Sequence, residues 1–313
     1  MMLVIRAGGV EAFAHWRQHF SECAPALDVR AWDDGNVDPA DIDFVVVSSP
    51  PSGWLASLPS LKLIFSAAAG VDHFQSDPEL PAHIPIIRMV TPETAQRMSD
   101  YVCMAALSLI RGYPDLIKAQ SAKTWRPDIT GGVSSDTTVG IMGLGQLGMY
   151  AAHRLEAIGF HVNGWANSVK PLRQGRCFVG QSQFASFLAS CDIVVNLLPY
   201  TPQTFRILNA EAFNAMRHGA SLINVGRSAH VDHDALLAAL DKGQLGVAML
   251  DVFDIKPLPE DAALWSHPRV VVTPHIASMP SYSARVKHVA EMIQAYDEGV
   301  KPMPFLFDHL RGY

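Results

Sequence analysis

Gly143-Leu144-Gly145-Gln146-Leu147-Gly148 forms a G-x-G-x-x-G run. It follows the apolar segment Thr138–Met142 and opens the periodic segment Gln146–Ile158, so it reads as a strand, a turn and a helix. In that setting the first glycine permits the tight turn, the second lets a pyrophosphate approach the backbone, and the third lets helix and strand pack closely. The helix start, with Gln146, Leu147 and Gly148, adds N–H groups and the positive end of a dipole for the phosphates. No Gly-Lys-Ser/Thr follows, which excludes a P-loop. An acid that binds the adenosine ribose is expected about 20 residues on. Ala166 stands there instead, followed by Asn167, Ser168 and Lys170, with Arg173 a little further on. Without a carboxylate to repel it, a 2′-phosphate can be received by these residues, which points to NADP(H) over NAD(H). The alternative is a solvated loop with Lys170 in water. Arg227 and His275 each come just after an apolar strand-like run, at the edge where doubly wound sheets bind ligands. Arg227 offers a planar, permanently charged fork that suits a carboxylate, and His275 a ring that gives or takes a proton near neutral pH.

Those residues need a scaffold, and the rest of the chain supplies one. Its 313 residues and 34.1 kDa correspond to roughly two domains. Apolar residues make up 49% and charged residues 17%, which suits a large core and argues against disorder. The net charge of −6 leaves no basic excess for nucleic acid. Cys23, Cys103, Cys177 and Cys191 form no CxxC pair, which argues against a disulfide framework or a Cys-based metal site. The apolar part of Met1–Arg6 is too short for a signal sequence, and the longest mainly apolar stretch, Tyr101–Ile110, is about half a membrane span. A cytoplasmic protein that engages no membrane and binds no metal is expected.

Short strands are predicted at Leu3–Ile5, Val29–Trp32, Phe44–Val47, Leu63–Phe65 and Ile86–Met89, with a helix near Glu11–Phe20. A long helix is predicted from about Thr94 to Lys118, followed by a loop over Thr124–Thr137. A second series then places strands at Thr138–Met142, Val162–Trp165, Ile193–Leu197, Ser221–Asn224, Ala248–Leu250 and Val270–Val272. Helices fit at Gln146–Ile158, Ser182–Ser190, Ala210–Met216, Asp232–Lys242 and Ser281–Glu298. The expected class is α/β, with two doubly wound parallel-sheet domains.

Taken together, these motifs resemble the D-isomer-specific 2-hydroxyacid dehydrogenase family, closest to its glyoxylate/hydroxypyruvate reductase A branch. The resemblance covers nearly the whole chain. It rests on Ala69-Gly70-Val71-Asp72, the glycine run, Leu198-Pro199 with Thr201, Asn224-Val225-Gly226-Arg227, Asp251-Val252-Phe253, Pro257-Leu258-Pro259, Thr273-Pro274-His275-Ile276 and the ending Arg311-Gly312-Tyr313. It implies a flavodoxin-like substrate domain, residues 1–97 with 289–313, and a Rossmann cofactor domain, residues 98–288. It implies NAD(P)H-dependent reduction of a small 2-oxo acid such as glyoxylate or hydroxypyruvate to the D-2-hydroxy acid. By resemblance, Arg227 binds the substrate carboxylate and polarises the keto oxygen, and His275 exchanges a proton with that oxygen. The amides of Ala69 and Gly70 grip the carboxylate, while Leu198, Pro199, Val225, Gly226 and Asp251 line the cofactor, Asp251 at the nicotinamide carboxamide. The family also implies a homodimer that uses the Thr94–Lys118 helix, although the apolar run Tyr101–Ile110 equally suits burial within one monomer.

The chain departs from the family at three places. A Glu that hydrogen-bonds the catalytic His precedes Pro-Leu-Pro in the family; Lys256 stands there instead. Lys256 then points to solvent while Asp254 or another acid takes the role, or His275 acts without it at a more acid optimum, or the chain has become a cofactor-binding sensor of corepressor type with weak or lost turnover. Ser228 replaces the usual Gly after the Arg. Ser48-Ser49-Pro50-Pro51 lacks the aromatic that precedes the Pro pair in the reductase branch, which leaves room for a larger 2-oxo acid.

Overall fold

The computed structural model describes residues 1–74, 77–300 and 305–308, so the similarity at Arg311-Gly312-Tyr313 lies outside the described residues. The chain forms two compact units, Met1–Thr94 with Met279–Tyr313, and Ala95–Ser278.

In the first unit the chain runs β1 (Met2–Arg6), α1 (Val10–Cys23), β2 (Asp28–Ala31), β3 (Ile42–Val47), β4 (Leu63–Ser66) and β5 (Ile86–Ile87). The strands pair in parallel in the order β2-β1-β3-β4-β5. Alternation along the strands divides the core. Leu3, Ile5, Phe44, Val46, Leu63 and Phe65 face one side with Trp16 and Phe20 of α1. Val4, Val45, Val47 and Ile64 face the other with Leu55, Leu58 and Phe74. Burial on both faces is why these strands read as nearly unbroken apolar runs.

The second unit holds most of α2 (Pro92–Ile110), then α3 (Tyr113–Ser121), β6 (Thr138–Met142), α4 (Gln146–Ile158), β7 (His161–Ala166), β8 (Cys177–Val179), α5 (Phe184–Ala189) and β9 (Ile193–Asn196). It continues with α6 (Ala210–Ala215), β10 (Ala220–Asn224), α7 (His233–Asp241), β11 (Leu245–Leu250), α8 (Ala263–Ser266) and β12 (Val270–Val272). The sheet is parallel throughout, ordered β12-β11-β10-β9-β6-β7-β8. Its order reverses between β6 and β9, the switch point at which such sheets bind ligands beyond their carboxyl ends. Met142, Val194, Leu222 and Leu250 pack on one face, and Val139, Ile141, Val195 and Ile223 on the other with Val102, Ala105 and Ala106 of α2. The last helix, α9 (Tyr282–Asp297), returns to the first unit, where Val286, Val289 and Ile293 join the core beside α1. Ser281 caps it by accepting from the Ala284 N–H at 3.2 Å, and Glu93 holds the Ser281 hydroxyl at 2.7 Å.

Three elements differ from expectation, one of them α8, a four-residue helix where none is predicted. The long helix breaks at Gly112, which sits at φ 64°, and Pro114 lies in the first turn of the helix that follows. A left-handed glycine stops one helix, and a proline near the next start needs no N–H partner there. The cofactor-type sheet also gains β8, a three-residue edge strand hydrogen-bonded to β7. None of the described helices is long and apolar enough to cross a membrane.

Candidate active site

The strands of the second unit point their carboxyl ends at one edge, and the predicted cofactor and catalytic residues of this unit follow those ends. The glycine run comes first, after β6. Gly143 lies at φ 96°, and a Cβ there would sit 2.8 Å from the Leu197 carbonyl oxygen beyond β9. A Cβ on Gly148 would come within 2.0 Å of the Gly143 carbonyl oxygen, so only glycine lets α4 start this close to β6. A Cβ on Gly145 would meet nothing within 4 Å, which leaves open space in front of the turn. No side chain caps α4 at Gly145. A tight turn, an open middle glycine and an N-terminus without a side-chain cap are what a pyrophosphate needs, so these residues fit a dinucleotide.

After β7 the chain leaves the sheet at Ala166 through exposed Asn167 and Ser168 to half-buried Lys170. The loop is braced rather than loose. The Lys170 N–H points to the Cys177 sulfur at 3.4 Å, and the Glu156 carboxylate accepts from the Arg173 and Gln174 N–H groups at 2.8 and 3.1 Å. No acid occupies 166–170, and the Glu156 carboxylate is engaged by the backbone N–H groups of Arg173 and Gln174.

After β9 and β10 the two strand ends are joined by a buried polar cluster absent from the sequence reading. Asn196 and Asn224 are register partners and donate and accept across the strands at 2.9 Å. Asn196 Nδ2 also lies 2.9 Å from His230 Nδ1, and the Arg227 N–H donates to the same nitrogen at 3.2 Å. With two N–H groups aimed at Nδ1, the ring proton sits on Nε2, which donates to the Pro199 carbonyl at 3.2 Å. Asn224 Nδ2 donates to the Arg227 carbonyl at 3.2 Å. Arg227 is therefore fixed at both its N–H and its C=O, while its half-buried side chain donates to the Gly226 carbonyl at 2.9 Å. Thirteen histidines made His230 hard to single out. The available signal was two asparagines ending adjacent strands and a His three residues past the Arg.

After β11 and β12, Asp251 is 1% exposed. One carboxylate oxygen accepts from the Thr273 hydroxyl at 2.6 Å and the Ile276 N–H at 3.0 Å; the other accepts from the Ala277 N–H at 2.9 Å. The Thr273 oxygen also contacts the Tyr101 hydroxyl at 2.7 Å, and burial pushes the Tyr101 phenol up to about 12. Asp251 thus clamps both sides of His275, whose φ of 57° is a left-handed conformation that costs energy for a side-chain-bearing residue. Lys256 is exposed. Asp254 borders an open cavity of about 270 Å³ with Asp232 and His233, where burial lowers the His233 pKa and Asp254 opposes the shift. Ser228 is buried, 3.4 Å from His233 Nε2.

In the first unit the loop after β4 is folded on itself. Ser66 accepts from the Ala68 N–H at 3.2 Å and donates to the Gly70 carbonyl at 3.1 Å. The Ala68 carbonyl takes the Met89 N–H, and the Ala69 carbonyl takes Arg88 Nε at 3.0 Å. All three carbonyls are thereby engaged by protein donors, which suits the neighbouring amides to an anion.

The family model "D-isomer specific 2-hydroxyacid dehydrogenase, NAD binding domain" matches residues 103–277. A glyoxylate/hydroxypyruvate reductase A from Serratia proteamaculans (strain 568) is 38% identical over 303 residues, 95% of this chain and 96% of the relative. A D-isomer specific 2-hydroxyacid dehydrogenase from Xanthobacter autotrophicus Py2, solved with NADPH and MES, superposes with TM-score 0.93 at 35% identity, covering 100% of this chain and 99% of the other. An NADPH-dependent glyoxylate/hydroxypyruvate reductase from Sinorhizobium meliloti, solved with NADP and sulfate, superposes with TM-score 0.92 at 32% identity and the same coverage.

Proposed function

This chain belongs to the D-isomer specific 2-hydroxyacid dehydrogenase family, and from that membership we propose that it reduces a small 2-oxo acid to the D-2-hydroxy acid with NADPH. Glyoxylate and hydroxypyruvate lead as substrates because the curated relatives carry those names. The observation that carries the reading is the gathering of the glycine turn, Arg227 and the His275 loop at the carboxyl edge of one parallel sheet.

Gly143, Gly145 and the N–H groups of Gln146, Leu147 and Gly148 hold the pyrophosphate. Asn167, Ser168 and Lys170 receive the 2′-phosphate, in line with NADPH or NADP in the solved relatives. Leu198, Pro199, Val225 and Gly226 line the cofactor's path along the strand ends, and Asp251 faces the nicotinamide end. The bound cofactor supplies the hydride. Arg227 pairs with the substrate carboxylate as a charged fork and draws electron density from the keto oxygen. His275 gives that oxygen a proton as the hydroxy acid forms and takes it back in the reverse direction. In the first unit the amides of Ala69 and Gly70 serve the carboxylate. A cytoplasmic homodimer completes the proposal. Met104 and Leu107 on α2, with Tyr113 and Ile117 on α3, expose apolar side chains that a second copy would cover.

The test is the initial rate of NADPH oxidation with each 2-oxo acid, for the wild type and Arg227→Gln, beside cofactor binding. Turnover by the wild type, with a loss of about a thousandfold in the variant at unchanged cofactor affinity, is expected from removing a charge-assisted pair and a polarising cation. Cofactor binding without turnover on a broad 2-oxo acid panel would instead favour the sensor reading that Lys256 keeps open. A rate that rises with substrate side-chain size would move the assignment to larger acids.

A further inference from the structure

We propose that His230, seated by Asn196, is a positioning residue whose two ring nitrogens set two different parts of the site; the inference rests on the roles given above to Arg227 and Pro199. His230 is wholly buried, and the pair touches both the strand end beyond β9 and the strand end beyond β10. Nδ1 accepts the Arg227 N–H at 3.2 Å and Nε2–H donates to the Pro199 carbonyl at 3.2 Å. Asn196 fixes the ring's orientation from one side, and its own oxygen accepts the Leu198 N–H at 3.2 Å. Asn224 then holds the Arg227 carbonyl and, through its oxygen, the Gly226 N–H at 3.3 Å.

The packing leaves this arrangement little freedom. A Cβ at position 226 would come within 3.0 Å of Asn196 Nδ2 and 3.2 Å of His230 Nδ1, so the backbone of Gly226 lies directly against the pair. A buried polar cluster is costly unless every member is satisfied. Here the satisfying groups are the backbone atoms of the two turns that carry substrate-side and cofactor-side residues. An ordinary core histidine stabilises the fold as a whole. This one divides its bonds between two functional turns, so its nitrogens are separable by substitution.

The experiment compares wild type, His230→Leu and His230→Asn, reading the 2-oxo acid KM and kcat at saturating NADPH, the NADPH Kd, and the urea midpoint. Asn places an acceptor close to the position of Nδ1 and offers nothing at Nε2; Leu offers neither. His230→Leu is expected to raise the substrate KM by about tenfold or more, the factor that goes with one lost buried hydrogen bond, and to weaken NADPH binding as well. His230→Asn is expected to return the substrate KM to within about threefold of wild type while NADPH binding stays weak. Should His230→Leu fail to fold, Asn196→Ala beside His230→Asn gives the same reading, with Asn196→Ala raising the substrate KM. The proposal is overturned if His230→Asn is as poor in substrate KM as His230→Leu or Asn196→Ala, or if no variant changes it. It is also overturned if KM and Kd rise and the midpoint falls together in every variant, without rescue by His230→Asn. Absence of wild-type turnover overturns the reductase reading and this inference with it, whereas an active wild type with an indifferent His230 overturns the inference alone.

Discussion

Replacing Asp251 with Asn separates two roles for this carboxylate. The side chain accepts three hydrogen bonds, two at one oxygen and one at the other, from Thr273 and from the N–H groups of Ile276 and Ala277. Asn keeps one oxygen and turns an NH₂ toward a donor on the other side. One charge-assisted bond is lost, worth about 1.5–3 kcal/mol, and a buried donor is left facing a donor, at about 1–3 kcal/mol. The loop also carries the left-handed His275, which costs roughly 1–2 kcal/mol that the clamp must overcome. A net loss of about 3 kcal/mol lowers the clamped-to-unclamped ratio about 150-fold, and the clamped population by up to that factor where the clamp only narrowly outweighs this strain. The account therefore predicts that Asp251→Asn lowers kcat by about a hundredfold, with the NADPH KM within about threefold, by steady-state oxidation of NADPH with glyoxylate. A variant whose kcat stays within about threefold of wild type refutes the clamp. If the NADPH KM alone rises about tenfold, Asp251 acts chiefly at the nicotinamide.

Other perturbations test other links. Lys256→Glu restores the family's carboxylate, which favours the protonated imidazole. The fall in reduction rate as pH rises should move to higher pH in the variant, and an unchanged profile from about pH 5 to 8 would remove Lys256 from the catalytic account. His288 is buried with Nε2 donating to the Arg88 carbonyl at 3.1 Å, and burial lowers its pKa below the ordinary value. The unfolded chain takes up a proton first as pH falls below about 6.5, so stability is full above that value and is lost on the acid side. The urea midpoint should drop between about pH 7 and 5, less steeply in His288→Gln; equal slopes would contradict this. Met104→Glu with Leu107→Glu places charge on the exposed apolar face of α2 and should convert a dimer to a monomer in sedimentation, an outcome that an unchanged mass would exclude.

Much of the architecture is legible in the chain because both sheets are buried on two faces. Strand segments such as Phe44–Val47 and Ile193–Asn196 are short apolar blocks bounded by polar or helical stretches, and that signal survives without any partner in view. The glycine run was legible for a stricter reason: each of its three glycines stands where a Cβ would collide or would fill the open space before the turn. The break at Gly112 was obscured because Tyr101–Ile110 and Tyr113–Ser121 are both helical in pattern, and one glycine between them is tolerated as often as it terminates. The edge strand Cys177–Val179 has only three residues, too few for a period to register. The Asn196, Asn224 and His230 cluster was the least visible feature. Asn196 and Asn224 end strands and His230 lies in the turn beyond, places where sequence patterns predict solvent, and only the register between β9 and β10 brings the asparagines opposite each other. The loop contacts of Asp251 leave no local pattern in the sequence, because its three partners lie 22 to 26 residues further along the chain.

The most direct test of the central claim is product analysis. The purified chain is incubated with NADPH and glyoxylate, and the mixture is separated to quantify NADP⁺ and glycolate. The account predicts one glycolate for each NADPH consumed by the wild type, and neither product above background with His275→Ala. Cofactor binding without glycolate from the wild type, or undiminished glycolate from His275→Ala, would contradict it.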